Sequence, residues 1–410
     1  MTRLYNGYQL FSGLLWWLPV FYLYQRDAGL TDEQIFTIQS IYYVFFCVLE
    51  IPTGALADRF DYRHFLLAGA GTLLVANLLP VFWPVFWGFL VHFLLVALAN
   101  SLVSGAGSAY LYEYLARSGE PERYRKAEGN ARAASLIGRV ACLPLAGVLM
   151  AWHPPLPYLL TAAGAAVAVV LAARLPELPG GQAGAPASPE PGPVRSAREP
   201  LGQALAGAAR VVTGSRLLTL LIVQGVAVFT LVRVLQTNLF QPILAAKQLP
   251  VAAFGLLMAA NALFEVAGAA RSALVRRWLS DTRAIFVLTT ALALCLALLV
   301  PAGLAVTIAL MCVFSLVSGV AYPIQRQLVN DAITDPSRRA TVLSVESIVD
   351  RLVCSLVVLA LGAYLSAGVL NLFLLHLAIG TVVLMAVLAV FLRRAHRRAA
   401  AETVTEGSAR

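Results

Sequence analysis

Leu49-Glu50-Ile51-Pro52-Thr53-Gly54-Ala55-Leu56-Ala57-Asp58-Arg59-Phe60-Asp61-Tyr62-Arg63-His64-Phe65 joins two long apolar runs, residues 33–57 and 65–82. Apart from Glu50, the charges of this segment gather between Asp58 and Arg63, and the sequence to either side is apolar. Each flank is long enough to cross about 30 Å of hydrocarbon as a helix, so the segment reads as a short polar turn between two membrane spans.

Outward from this turn the pattern repeats. Further apolar runs fall at 7–24, 85–115, 127–151 and 157–174, and a second set at 217–243, 252–275, 284–300, 302–328, 340–366 and 370–392. The 410 residues are 60% apolar and only 12% charged, too few charges to cover a soluble fold of this size. Unbroken runs exclude a transmembrane barrel, whose strands would alternate in short segments. The expectation is an all-α membrane protein of twelve transmembrane helices in two pseudo-symmetric six-helix bundles. The bundles would span residues 1–174 and 206–398, joined by a Pro/Gly/Ala-rich linker over 175–205 and followed by a tail over 399–410.

Charge sets the orientation. With a cytoplasmic N-terminus, the outer turns carry only Arg26 and Lys247, while Arg59, Arg63, Arg117, Arg123, Arg276, Arg277 and the cluster Arg393 to Arg398 fall inside. That asymmetry places both termini and the linker in the cytoplasm. Tyr22, Tyr24, Trp83, Trp87 and Trp152 are expected at the outer interface as aromatic anchors. The net charge of +9 is scattered over short turns and forms no patch for nucleic acid. Arginine far outnumbers lysine, as in GC-rich bacterial genomes, so the expected location is a bacterial cell inner membrane. Met1 to Gly7 lacks a cleavable signal pattern. The five cysteines lie singly in apolar runs and read as packing residues, with no metal or disulfide framework and no cofactor implied.

The two sets of runs resemble each other. Ser104-Gly105 precedes Ala109-Tyr110 in run four, and Ser318-Gly319 precedes Ala321-Tyr322 in run ten. Arg139 and Arg351 share the spacing that pairs Tyr110 with Tyr322, and Glu50 and Glu265 occupy comparable places. Several matches in order point to a duplicated six-helix unit.

The turn over Gly54 to Phe65 resembles the signature loop of the major facilitator superfamily, Gly-x-Leu-Ala-Asp-Arg-x-Gly-Arg-Arg between helices 2 and 3. Gly54, Leu56, Ala57, Asp58, Arg59 and Arg63 match, while Asp61 replaces a glycine and Tyr62 a basic residue. The segment Leu49 to Thr53 and the Tyr110 to Glu113 end of run four look like a bacterial efflux branch. Run five keeps Pro144-Leu-Ala-Gly147 of an antiporter motif but has Arg139 at an earlier glycine position. The resemblance implies a secondary transporter, not an enzyme, working by alternating access on a small-molecule substrate bound between the halves.

Ionisable groups inside a bilayer are costly and therefore informative. Arg139 and Arg351 lie near mid-depth, about 20 Å along their helices at 1.5 Å per residue. The resemblance sets helix 2 against helix 11 and helix 5 against helix 8, so Glu50 would face Arg351 and Glu265 would face Arg139. These four, with Asp350, are the candidates for proton coupling or an inter-bundle gate. Gly54, Asp58, Arg59 and Arg63 are conformational residues of the loop, with Glu113 expected to pair with Arg59 or Arg63. Asn100, Gln236, Asn261 and Gln325 are the cavity candidates, although each can equally join helices. The expected activity is proton-coupled export of an amphipathic small molecule by a monomer in the lipid bilayer. The alternative is a carrier of anionic metabolites using the mid-depth arginines, whose planar forks suit carboxylate or phosphate. A polytopic membrane enzyme would need a cluster of His, Asp, Glu or Cys at the interface, and the sequence has none. A transporter-like sensor is the remaining class.

Overall fold

The structure is a computed structural model and describes residues 1–57, 61–178, 213–333 and 339–408. The loop residues Asp58 and Arg59 and most of the expected linker lie outside these, as does the side chain of Glu50, and of Gly54 only the helical backbone is described. The chain divides into two compact units. Unit 1 comprises Met1–Pro191, Gln241–Ala259 and Val358–Ser366; unit 2 comprises Gly192–Phe240, Ala260–Val357 and Ala367–Arg410.

The secondary structure is helical throughout the described residues. Unit 1 opens with α1 (Thr2–Ser12) and α2 (Phe21–Asp27), then α3 (Asp32–Ala57), α4 (Tyr62–Phe82), α5 (Phe86–Arg117), α6 (Tyr124–Trp152) and α7 (Leu156–Ala173). There follow α8 (Arg216–Arg233), a π-turn over Val234–Leu239, α9 (Phe240–Ala246), α10 (Val251–Ala270) and the short α11 (Ser272–Val275). The chain continues through α12 (Asp281–Leu299), α13 (Leu304–Ala332), α14 (Arg339–Ser366) and α15 (Leu370–Ser408). Ten stretches among the described residues are long and apolar enough to cross a membrane. Helices are the form in which such segments satisfy every backbone polar group internally, away from water.

The first run departs from expectation. It is not one span over 7–24 but two short helices separated by Gly13–Val20. Pro19 lies in the break, where its missing N–H costs no helical hydrogen bond. The backbone freed there is satisfied from elsewhere in unit 1. Trp16 N–H donates to Thr161 Oγ1 (3.1 Å). Gln241 Oε1 accepts from the N–H of Tyr22 (2.9 Å) and Leu23 (3.4 Å), and Gln241 Nε2 donates to Leu18 O (3.1 Å). One side chain thus caps α2, whose own N-cap residue Val20 supplies no side-chain bond.

Within unit 1, α4 packs on α5 and α7, α1 on α6 and α7, and α3 on α5. Small residues allow the closest approaches. A Cβ on Gly138 would lie 2.3 Å from Leu10 O, and one on Gly255 would lie 1.8 Å from Leu143 O. An aromatic cluster fills the centre, with Trp17 stacked on Tyr158 at 5.9 Å and edge-on to His92 at 5.3 Å. Tyr22 and Tyr24 are buried, contrary to the expectation that they anchor the interface. Tyr22 OH donates to Asp32 Oδ1 (2.7 Å) and Tyr24 OH to Pro80 O (3.0 Å), because the break turns α2 into the bundle. Trp83, Trp87 and Trp152 are exposed, as anchors should be.

In unit 2, α12 packs on α13 and α15, and α8 on α13 and α15. Its apolar core joins Leu218, Leu221 and Ile222 of α8 to Val329 of α13, Val342 of α14 and Leu392 of α15. Gly268 and Gly319 form a second close seam between α10 and α13; a Cβ on Gly319 would lie 2.0 Å from Glu265 O. The run expected over 252–275 breaks at Arg271, between α10 and α11. All five cysteines are free, and four of them are buried.

Candidate functional site

A cavity of about 310 Å³ lies within unit 2. Helical spacing builds its wall. Phe229, Val232 and Arg233 of α8 and Gln236 of the π-turn fall at intervals of three and four, so they share one face. The π-turn shifts the register of that face by part of a turn at the level of Gln236, a common feature of functional helices. Ser318, Tyr322 and Arg326 step down α13 at intervals of four, as Glu346 and Asp350 do on α14, and α10 contributes Glu265.

The polar groups in this wall are paired. Arg233 Nη2 donates to Asp350 Oδ2 at 2.6 Å, and Thr230 Oγ1 donates to Asp350 Oδ1 at 2.9 Å. Arg326 Nη1 donates to Glu346 Oε2 at 2.7 Å. In both pairs the carboxylate is buried, at 4% and 1% side-chain exposure, and the arginine is about a third exposed. The guanidinium is therefore the more exposed member of each pair, and both members line the cavity. Separating either pair would leave a buried charge uncompensated, so each carboxylate depends on its arginine. Glu265 is held differently. Its Oε2 accepts from Gln236 Nε2 (3.2 Å), which also donates to Ser318 Oγ (3.2 Å). Phe229 and Tyr322 face each other across the wall with ring centroids 5.3 Å apart. Three carboxylates, two guanidiniums and two aromatic rings thus converge on one space.

Of the residues singled out by sequence, Glu265, Asp350 and Gln236 meet here. Gln325 lies behind the wall, donating to Leu221 O (2.8 Å), and serves as a link between α13 and α8. Asn100 is exposed on α5 and Asn261 half-buried on α10, and neither lines this cavity. Arg139 is exposed on α6 and Arg351 half-buried on α14. Glu113 does not pair with Arg63. Its carboxylate bonds Arg117 (2.9 Å), one helical turn away, a partner reached without leaving α5. Arg63 instead donates to Ala173 O (2.7 Å) and Glu177 Oε1 (3.3 Å) at the end of α7, and Asp61 caps α4 by accepting from Arg63 N (3.0 Å). The sequence reading missed Arg326 and the pairing of Glu346 with it. The available signal was an arginine at an interval of four from Tyr322, inside an apolar run.

No curated protein matches the chain. Among solved structures, the nucleoside transporter NupG superposes with a TM-score of 0.75 at 13% identity, over 95% of this chain and 98% of that one. A POT family transporter in complex with a thioalcohol-conjugated peptide gives 0.68 at 13% identity, over 96% of each chain. A bacterial homologue of the human lysosomal transporter Spinster, in an inward-facing, unoccupied conformation, gives 0.66 at 16% identity over 97% and 95%. At these identities the likeness concerns the fold. The family profile of the Major Facilitator Superfamily matches residues 7–358. The chain, a multi-pass helical membrane protein and a transporter, belongs to that superfamily.

Proposed function

We propose that the chain is a proton-coupled exporter of amphipathic small molecules that carry positive charge or none. The proposal sets it in a bacterial inner membrane as a monomer of twelve spans, with six-helix bundles over 1–174 and 206–398 and cytoplasmic termini. The observation that supports this reading is the cavity of unit 2. Its lining carboxylates Glu265, Glu346 and Asp350 outnumber its guanidiniums, and Phe229 and Tyr322 add aromatic surface. Such a wall suits a protonated amine beside an apolar body, and offers acids whose protonation changes the charge of the space. The anionic reading finds less support here, because the guanidiniums of Arg233 and Arg326 are each turned to a carboxylate. The test is flux in proteoliposomes under a pH gradient, with a panel of lipophilic cations, neutral antibiotics and organic anions. Flux of cations or neutral compounds that a protonophore collapses supports the proposal. Flux confined to anions overturns it in favour of a metabolite carrier.

A further inference from the structure

Among the cavity acids, Glu346 is held in a way the other two are not. Both oxygens of Asp350 have donors, in Thr230 and Arg233. Glu265 bonds a neutral amide. Glu346 has one oxygen, Oε2, on Arg326, while Oε1 is buried and has no hydrogen-bond partner among the described residues. The side chain is 1% exposed, so bulk water does not solvate that oxygen either.

The surroundings of Oε1 are specific. It lies against Gly225 of α8, where an added Cβ would fall 2.6 Å from Glu346 Oε1 and 2.9 Å from Gln325 Nε2. Only a residue without a side chain leaves this niche open. Gln325 Nε2 donates one N–H to Leu221 O and makes no hydrogen bond to Glu346 Oε1. Glu346 Oε1 therefore sits beside one point on the α8 backbone as a buried acceptor without a donor. An unmet buried acceptor is unfavourable, and a proton on Oε1 turns it into a donor.

We infer that Glu346 is the group that takes up the coupled proton, on the oxygen facing Gly225 and Gln325, and that Arg326 is the switch it releases. The inference rests on the proton-coupled reading proposed above. In this step a hydronium ion reaching the cavity gives its proton to Glu346 Oε1: one O–H bond of the hydronium breaks, one O–H bond forms on Oε1, and a neutral water is left. The carboxyl loses its charge, its ion pair with Arg326 becomes a weaker contact between a cation and a neutral acid, and the guanidinium is freed toward the cavity it already borders. The charged groups around Glu346 are Arg326 on α13, Asp350 one turn along α14, and Arg233 of α8 bonded to Asp350, with Glu265 of α10 in the same wall. Protonation leaves Arg233–Asp350 as a second ion pair of the wall, so Glu346 takes up the proton while Arg233–Asp350 keeps a charged pair that the cycle also needs.

The experiment is an infrared titration of the full chain in liposomes, following the carbonyl band of protonated carboxyl groups against pH. The wild-type protein should show a band that grows as pH falls. E346Q should lose it, while E265Q and D350N should keep it. R326Q retains the acid and should shift the midpoint, which preserves the test if E346Q does not fold. A band that survives in E346Q, vanishes in D350N or E265Q instead, or keeps its midpoint in R326Q overturns the assignment, as does the absence of any titrating band in the wild type. The flux assay separates this from failure of the parent reading. Loss of the band in E346Q with flux indifferent to the pH gradient refutes proton coupling and leaves the protonation site standing. Gradient-driven flux that E346Q preserves refutes the site and leaves the coupling.

Discussion

Tyr110 and Tyr322 each follow an alanine and an upstream Ser-Gly pair, in α5 and α13, yet their surroundings differ completely. Tyr110 is fully buried in unit 1, stands beside Tyr5 and Tyr114, and donates its hydroxyl to Pro176 O at 2.6 Å. Tyr322 in unit 2 is 56% exposed, lines the cavity and faces Phe229. The contrast extends to the units. Inside unit 1 the buried polar groups are mostly neutral, such as Gln25, Asn77, His92 and Thr161, and its buried acid Asp32 sits in the first turn of α3 on Arg26 at 2.8 Å. Unit 2 holds Glu346 and Asp350 in the middle of a helix, each on an arginine of another helix. Close helix seams thus occur in both units, while, among the described residues, the mid-helix buried acids paired to an arginine of another helix lie in one.

The strongest way to break this contrast is to remove a charge from unit 2. Asp350→Ala removes the carboxylate that Arg233 and Thr230 bond. Breaking a buried pair costs about 3–5 kcal/mol, less here because Arg233 is partly exposed to the cavity. A fall in thermal unfolding temperature and at least a roughly tenfold loss of flux are expected. The double variant R233L/D350L removes both charges. It should recover much of the thermal stability but none of the flux, since matched apolar replacements often restore folding without restoring a switch. Recovery of both would mean that the pair is structural only.

Next in size are the glycine seams. Gly255→Ala in unit 1 and Gly319→Ala in unit 2 each drive a methyl into a backbone carbonyl, Leu143 O or Glu265 O. Overpacking of this kind costs about 1–3 kcal/mol, so both should lower the unfolding temperature by similar amounts. Only G319A moves the backbone that carries Glu265, so only it should also alter the pH dependence of flux. Equal functional effects of the two would erase the distinction between a packed unit and a charged one.

What the sequence made legible follows the same division. A bilayer forces long apolar runs and positions their polar turns, so most spans and the exposure of Trp83, Trp87 and Trp152 could be read directly. The break at Gly13–Val20 could not, because the group that stabilises it, Gln241, lies more than two hundred residues away. Tyr22 and Tyr24 were misplaced for the same reason. At the site, Asp350 and Gln236 stood out as polar residues in apolar runs. The pairing of Arg326 with Glu346 joins different helices, and no spacing within either helix reveals it. Glu113 shows the converse, since the cation it binds, Arg117, was four residues away on its own helix.

The Gln241 side chain offers a third test. Gln241→Leu removes the acceptor for Tyr22 and Leu23 and the donor to Leu18, leaving the broken first run uncapped. Polar links between membrane helices are worth about 0.6 kcal/mol each on average, so a loss of about 1–2 kcal/mol is expected in thermal unfolding. Amide hydrogen exchange should rise at Tyr22 and Leu23 and stay unchanged on α13. Unchanged protection at Tyr22 and Leu23 would show that the break is held by its own backbone.

The smallest expected effect falls on the two tyrosines themselves. Tyr110→Phe deletes a buried hydroxyl and leaves Pro176 O without that donor, at a cost of about 1 kcal/mol. Flux should follow the loss of folded protein and no more. Tyr322→Phe deletes a hydroxyl on the cavity wall and keeps the ring beside Phe229, so the unfolding temperature should not move. Its effect belongs to the substrate. A compound that hydrogen-bonds the phenol loses a few-fold in apparent affinity, while one that only stacks is transported as before. Thermal unfolding and concentration-dependent flux, measured on both variants, should therefore cross over: Y110F changes the first, Y322F the second. If both variants lower stability alone, Tyr322 belongs to the packing as Tyr110 does, and the cavity of unit 2 loses its claim to the substrate.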